Sequence, residues 1–341
     1  MWNTICVAAE DFYKKGWITE IWYPKTAFES VEYVIAVELS DIYITGLHEL
    51  LKTRNLNPES NIIFTHGAWR FATKWGAALK KLGFKWMYTP HGMLEPWPLK
   101  HKWLKKLIYL NLFEQRMART ADIIRAVSSP EKKNLARFFP KEKIQFIANG
   151  IRLDVVKPNL IIEDNVRRYV FLSRLHKKKN IVTLTEAWKQ SSLANNSSAE
   201  LLIIGPDEGE LILIKNVLQE ILNIKYLGSI YGDSKNEILR RSIFYVLPSF
   251  SEGLPSSLLE AMEIGLIPIV TIGCNFPELF SQDLGVEIKT DVDHIRKVLE
   301  ATFKWEKDKI IKYSIRGRSY VKEHFSIKSH TEKVLTSLNL N

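Results

Sequence analysis

The sequence predicts an α/β chain of two domains, each with a parallel sheet, and three observations carry that prediction. Residues 243–271 read as one strand, loop, helix and strand: a β-branched and aromatic run stops at Pro248, Leu258, Leu259 and Met262 recur at helical spacing after Pro255, and Gly265 falls where a helix ends. Strands at 61–65 and 86–89 both end in histidine and glycine, His66-Gly67 and His91-Gly92, with a helix over 69–82 between them. Such a crossover puts both strand ends at one sheet edge. The third observation is size, since 341 residues with 46% hydrophobic and 11% aromatic side chains can fill two cores.

Composition narrows the class further. With only Cys6 and Cys274 there is neither a disulfide framework nor a set of thiolate ligands, and a reducing cytoplasm fits. The first residues carry no signal-peptide pattern, and no apolar run approaches the roughly 20 residues that span a bilayer. Lys and Arg number 48 against 38 Asp and Glu, a net charge of +10 that makes nucleotides, anionic lipid and nucleic acid candidate partners. No nucleic-acid motif accompanies the charge, so no nucleic acid is expected.

In chain order, Trp2, Ile5, Cys6, Ala9 and Tyr13 share a helical stripe closed by Lys14, Lys15 and Gly16, and a strand over 17–22 follows. A doubly wound domain should instead open with a strand and a glycine-rich turn, and that strand normally lies mid-sheet. Its absence predicts a gap at the centre of the first sheet; a misassigned start, a truncated gene or a sheet rearranged with fewer strands are the open explanations. A strand over 31–37 and a helix over 42–52 come next. For a lone histidine, capping a strand end is the ordinary role; two at matching ends leave a ligand-facing role open beside it.

Lys100, Lys102, Lys105 and Lys106 then interleave with Trp97, Trp103, Leu104 and Ile108. Two readings stay open, a core-facing stripe with a solvated basic face, or an element lying on an anionic membrane surface. Residues 120–127 read as the last strand of the first sheet, and Ser128-Ser129-Pro130 opens a helix. The domain boundary falls between 152 and 166, giving domains 1–152 and 166–320. The chain closes with a helical segment over 313–338, and residues 321–341 are set apart from the second domain as a terminal helix.

The second domain opens with a strand over 169–173, then Arg174, Lys177, Lys178 and Lys179 before Asn180. These cations make an anion site if the loop folds inward, and a solvated basic loop if it does not. A strand over 200–204, a helix over 211–222 and a strand over 224–227 lead to Gly228 and Ser229. The loop 249–254 then sits at the carboxyl edge, where such sheets bind ligands, and the amides of Gly253, Leu254 and Ser256 around Pro255 favour a diphosphate. Glu252 and Glu260, eight residues apart, suit hydroxyls at two ends of an extended ligand. The plain alternative is a dipole-neutralising Glu252 and a solvated Glu260.

Residues 248–268, PSFSEGLPSSLLEAMEIGLIP, resemble the signature of the retaining glycosyltransferases of family 4, P-S-x-x-E-G-x-P-x-x-x-x-E-A-M-x-x-G-x-P, with Leu266 and Ile267 standing where the pattern has one residue. The resemblance implies the GT-B fold, two Rossmann-like domains with parallel sheets facing a cleft, the first here lacking its opening strand and glycine-rich turn. By the related pattern S/G-R-L-x-x-x-K-G it assigns Arg174 and Lys179 to the donor diphosphate, with Asn180 in place of the usual glycine. Glu252 would hold sugar hydroxyls, Glu260 the ribose, and Gly228 and Ser229 the nucleobase. TPHGMLEPWPLK, 89–100, resembles a cleft-lining loop, which makes His91 the residue against the transferred sugar or acceptor, with His66, Gly67 and Gly92 beside it; Ala148-Asn149-Gly150-Ile151 resembles the turn before the interdomain linker.

The implied function is retaining, metal-independent transfer from a nucleotide-diphosphate-sugar to a hydroxyl acceptor, a sugar or lipid-linked saccharide, in cell-surface polysaccharide or lipopolysaccharide biosynthesis. Glu252, His91, Arg174 and Lys179 would carry catalysis, in the cytoplasm or peripherally on the inner face of the plasma membrane. No cofactor is expected: Asp291-Val292-Asp293 matches a metal-binding D-x-D, but it belongs to the other main glycosyltransferase fold, and Ile295, Val298 and Leu299 follow at helical spacing, which makes Asp291 a helix cap. The rival readings are a non-catalytic or truncated GT-B chain that needs a partner, and a basic nucleic-acid-binding protein.

Overall fold

The structure is a computed structural model that describes residues 2–24, 32–39, 41–69, 71–100, 103–153 and 166–340. Of the sequence expectations, Val31, Lys102, the side chains of Trp2, Trp97 and Lys100, and residues 154–165 of the interdomain linker lie outside the described residues. The chain folds into two compact units, 1–152 with 325–341, and 153–324.

The first unit opens with helix α1 (Trp2–Lys14), then strands β1 (Thr19–Pro24) and β2 (Val34–Leu39) and helix α2 (Ile44–Thr53). Strand β3 (Ile62–His66), helix α3 (Phe71–Lys81) and strand β4 (Lys85–Thr89) follow as the anticipated crossover, in parallel register with His66 opposite Thr89. Short helices α4 (Pro96–Lys100) and α5 (Trp103–Tyr109) run into a π turn (Leu110–Glu114) and α6 (Gln115–Ala118), before β5 (Ile123–Ala126), α7 (Ser129–Leu135) and β6 (Ile144–Phe146). The strand at 120–127 is therefore not the last of its sheet. Three residues with one inward apolar side chain, Ile144, give β6 too little periodicity to be read from sequence.

Among the described residues β1 and β2 pair as a separate two-stranded parallel sheet, and the other four strands of the unit pair in the order β3-β4-β5-β6. Successive residues of the four-stranded sheet alternate faces. Trp86, Tyr88 and Ile124 pack with Leu110, Ala118 and Leu135 on one side, while Met87 and Ile123 pack with Val334 and Leu338 on the other.

The second unit comprises β7 (Arg167–Leu172), α8 (Ile181–Lys189), β8 (Ala199–Ile204), α9 (Leu211–Glu220), β9 (Ile224–Tyr226), α10 (Gly232–Arg240), β10 (Phe244–Leu247), α11 (Ser256–Ile264), β11 (Ile267–Val270), α12 (Glu278–Ser281), β12 (Val286–Glu287), α13 (Val292–Phe303) and α14 (Lys307–His324). Its six strands are all parallel in the order β12-β11-β10-β7-β8-β9. The chain winds outward from β7 through β8 to β9, then returns to start again at β10. The switch point, where loops diverge and a crevice opens, therefore lies between β7 and β10. Tyr169 and Phe244 stack across that junction, centroids 4.7 Å apart, and β10 and β11 are buried along their whole length.

The last helix, α15 (Ile327–Ser337), belongs to the first unit. The single helical segment expected over 313–338 is broken at Ser326, whose hydroxyl accepts from the Ser329 amide and starts a new helix. Gly150 meets α15 so closely that a Cβ there would stand 2.7 Å from the His330 Cβ and 2.9 Å from the Ile327 Cα. Asp291 caps α13, accepting from the His294 amide at 2.9 Å as its position predicts.

Candidate active site

At the switch point of the second unit, the loops after β7 and β10 are tied to each other. Lys178 gives its carbonyl to both the Phe250 amide and the Ser249 hydroxyl, each at 3.0 Å. Asn180 ends the first loop in the left-handed region, at φ 59° and ψ 37°, so it serves where the family pattern has glycine; its side-chain amide donates to the Thr290 carbonyl at 2.9 Å. Gly205 leaves no room for a side chain, because a Cβ there would lie 2.0 Å from the Ser173 carbonyl oxygen. That close approach seats the loop after β8 against the loop after β7.

These ties bring Lys179 and Glu252 together, 73 residues apart in sequence, with Nζ donating to Oε1 at 2.7 Å. Both are buried, and the Ser249 hydroxyl lies against the same oxygen, its one hydrogen shared between that oxygen and the Lys178 carbonyl. Glu252 is held by its backbone too, with its amide on the Gly273 carbonyl at 2.6 Å and its carbonyl accepting from the Asn275 side chain at 2.7 Å. Glu260, inside α11, shows the same arrangement: Lys235 on α10 donates to Oε2 at 2.7 Å. Each glutamate is thus fixed through one oxygen, and the other has no protein partner among the described residues.

Between the two glutamates the chain enters α11 through Gly253, Leu254 and Pro255. Pro255 precedes the helix rather than beginning it, and no side chain caps the start, so the amides from Ser256 onward in the first turn stay available to an acceptor. Arg174 pairs through one guanidinium nitrogen with Glu208 at 2.6 Å, its side chain 60% exposed. Gly228 turns the chain after β9 at φ 71°, its carbonyl accepting from the Gly205 amide at 2.8 Å, and Ser229 follows, exposed. Cys274 is buried with its thiol toward the Leu247 carbonyl; burial pushes its pKa far up, as expected of a structural thiol.

The carboxyl edge of the first unit's sheet holds a different kind of site. His66 Nδ1 and His91 Nε2 stand 2.8 Å apart, with the rings stacked at 23°. One nitrogen must donate and the other accept, so the pair as found fits two neutral imidazoles. Burial, and then the charge of Arg125, pushes His66 down to about 3; burial, then His66 and Arg125, drives His91 well below its ordinary value. Arg125 is itself buried, donating to the carbonyls of Ile147 and Ala148 and to the Asn149 side chain. Gly67 sits at φ 92°, its amide on the Thr89 carbonyl at 2.8 Å, and Gly92 at φ 73° donates its amide to Glu131.

Sequence reasoning paired the two histidines and the cationic loop with Glu252, and missed Arg125, Glu131, Lys235 and Ser249 as supports. Glu131 stands three residues after Ser128, a spacing that marks carboxylates with backbone partners. Lys235 carries no local signal.

Two family models match the chain: Glycosyltransferase Family 4 over residues 39–155 and Glycosyl transferases group 1 over residues 155–317. An uncharacterised glycosyltransferase of Methanocaldococcus jannaschii is 29% identical over 195 residues, 52% of this chain and 46% of that protein. The UDP-Gal:alpha-D-GlcNAc-diphosphoundecaprenol alpha-1,3-galactosyltransferase of Escherichia coli is 26% identical over 207 residues, 56% of this chain and 53% of that protein. The match thus spans about half the length of each of these relatives. Sucrose-phosphate synthase of Thermosynechococcus elongatus shares the fold at a TM-score of 0.79 and 18% identity, over 97% of this chain and 92% of that one. The two halves of the chain thus each match a glycosyltransferase family model, and its fold is the GT-B fold of two α/β units with parallel sheets.

Proposed function

We propose that the protein transfers a sugar, with retention, from a nucleotide-diphosphate-sugar to a hydroxyl acceptor. The observation that carries this reading is the pair of glutamates flanking the uncapped start of α11, each clamped by a lysine on one oxygen and open on the other. An open carboxylate oxygen accepts from a hydroxyl, which suits Glu252 to the sugar and Glu260 to the ribose. Lys179, the unpaired donors of Arg174 and the first-turn amides meet the charge that grows on the leaving diphosphate, the term that usually dominates such catalysis. Attack on the face the diphosphate leaves lets that phosphate take the acceptor proton, so no side-chain nucleophile is needed. His91 and His66, held neutral, present a lone pair or an N–H to an acceptor hydroxyl.

The acceptor is a saccharide carried on lipid, in the assembly of a cell-surface polysaccharide or lipopolysaccharide. Helix α5 and the π turn after it support this: Trp103, Leu104, Leu107 and Ile108 of the helix and Leu112 and Phe113 of the turn are between 45% and 61% exposed, so these side chains do not face a core. The element is nevertheless anchored, because Leu110 and Glu114 in the π turn are fully buried and Glu114 accepts from Thr73 and Tyr88, each at 2.8 Å. No acidic residue occurs between Glu95 and Glu114, whereas four lysines do. An outward apolar face in a basic segment fits the interface of an anionic bilayer on the inner side of the plasma membrane. No helix among the described residues is long and apolar enough to cross one.

The test is a screen of nucleotide-sugars for thermal stabilisation, followed by NMR of the product formed from the α-linked donor that binds. A β-linked product would overturn retention, and the absence of both binding and transfer would overturn the assignment. Flotation with vesicles containing phosphatidylglycerol, but not with phosphatidylcholine alone, is expected and should be lost in Trp103→Ser/Leu107→Ser; equal flotation of that variant would remove α5 from the membrane.

A further inference from the structure

Glu131 is 1% exposed and has no part in the chemistry described above. It lies three residues after Ser128, whose hydroxyl accepts from the Glu131 amide at 3.2 Å. In a capping box the carboxylate would fold back to the amide of the cap residue. Here Oε2 takes the amide of Val127 at 2.7 Å, and Oε1 leaves its own element to take the amide of Gly92 at 2.5 Å. One turn further along α7, Asn134 donates to Glu95 Oε2 at 2.5 Å. The loop that carries His91 is therefore fastened to one face of α7 at two points.

The loop requires fastening. His91 sits at φ 54° and Gly92 at φ 73°, two successive residues in the left-handed region. For a residue with a Cβ that conformation is disfavoured and persists where surrounding contacts impose it. We propose that Glu131 is the positioning residue of the acceptor side: by bridging the amides of Gly92 and Val127, its carboxylate holds the turn that sets His91 against His66. This rests on the reading of His91 as an acceptor-side residue.

A carboxylate is the group the geometry demands, because two N–H donors converge and each needs its own acceptor oxygen. Glutamine at this position would turn an NH2 toward one of them. Protonation of Glu131 has a related effect, converting one oxygen to a donor. Burial pushes its carboxyl up to about 7, reinforced by the charge of Glu95 and opposed by the two amides and by Arg125. The grip on the His91 loop is thus expected to weaken as the pH falls through neutrality.

Glu131→Gln tests this with three readouts. Transfer should fall about tenfold in kcat, the inflection near pH 7 in acceptor kcat/KM should vanish, and the ring 15N resonances of His66 and His91 should move. Donor affinity by calorimetry should stay within twofold. A folded Glu131→Gln with the wild-type pH profile and unchanged ring resonances would overturn the proposal. If wild type transfers no sugar, the functional reading fails, and the ring resonances still decide whether Glu131 holds the pair. Should the variant not fold, the wild-type protein answers: the Gly92 and Val127 amide resonances must shift together between pH 6 and 8, and fixed resonances would sink the idea.

Discussion

The two sheet edges that carry candidate site residues solve opposite problems. In the second unit, charged groups are buried in pairs: Lys179 against Glu252, and Lys235 against Glu260 with more solvent. In the first, two histidines are kept uncharged by burial and by a neighbouring buried arginine. A diphosphate arrives with charge and must be met by charge. A hydroxyl needs a neutral partner that can take either end of a hydrogen bond. The difference teaches that one fold, repeated along a chain, acquires its chemistry from which few side chains stand at the carboxyl ends of its strands.

The sharpest way to break that contrast is Lys179→Ala. Its loss would take a cation from the proposed leaving group and strand the Glu252 carboxylate in a buried position. Transfer is expected to fall on the order of a hundredfold, by analogy with the removal of one preorganised donor. Stability should drop as well, because breaking a buried pair by deleting one partner costs about 3–5 kcal/mol. Steady-state kinetics on protein shown to be folded checks the first point and urea unfolding the second. Unchanged turnover in both Lys179→Ala and Arg174→Ala would remove the diphosphate site.

A second test addresses the uncharged edge through His330, which is 7% exposed and donates from Nδ1 to the Ala148 carbonyl at 2.8 Å. Burial, followed by the charge of Arg125, holds its pKa at about 3. In the unfolded chain it titrates near 6.5. Below that value the unfolded chain binds a proton that the folded protein refuses, so the contribution of His330 is complete above about 6.5 and is lost as the pH falls toward 3. By pH 5 the loss amounts to about 2 kcal/mol. His330→Gln keeps a donor for Ala148 without a titrating group. The stability difference between pH 7.5 and 5.0 should therefore be about 2 kcal/mol smaller in the variant, and equal differences would show that burial does not govern this edge.

Much of this arrangement was legible in the sequence, and what escaped was non-local. The motif 248–268 announced its loop and helix because strand, turn and cap residues follow each other without interruption, and Gly265 does end α11 in the left-handed conformation. Paired histidines at like strand ends could be placed together because a right-handed crossover admits one arrangement. The three-residue β6 had too few residues for a period, and the basic, aromatic stretch over 97–108 did not show which way its apolar side chains faced. Arg125 lay hidden in an apolar strand, where nothing local says that carbonyls of the next turn will receive it. Lys235 is one lysine among many until α10 packs beside α11.

That last residue offers the smallest effect and the finest test of the comparison. Lys235 and Glu260 keep 21% and 31% of their side-chain surface, so their ion pair is worth only about 0.2–1 kcal/mol. In the proposed function its use lies in orientation: with Oε2 engaged by Lys235, Glu260 would have one oxygen left to accept a ribose hydroxyl. Lys235→Met should raise the donor KM roughly twofold to fivefold, the range that energy allows, and leave kcat alone, because an interaction equal in ground and transition states affects binding only. A fall in kcat with KM unchanged would mean that Lys235 acts on the transition state. The second edge would then use both of its lysines for chemistry, and not one for chemistry and one for aim.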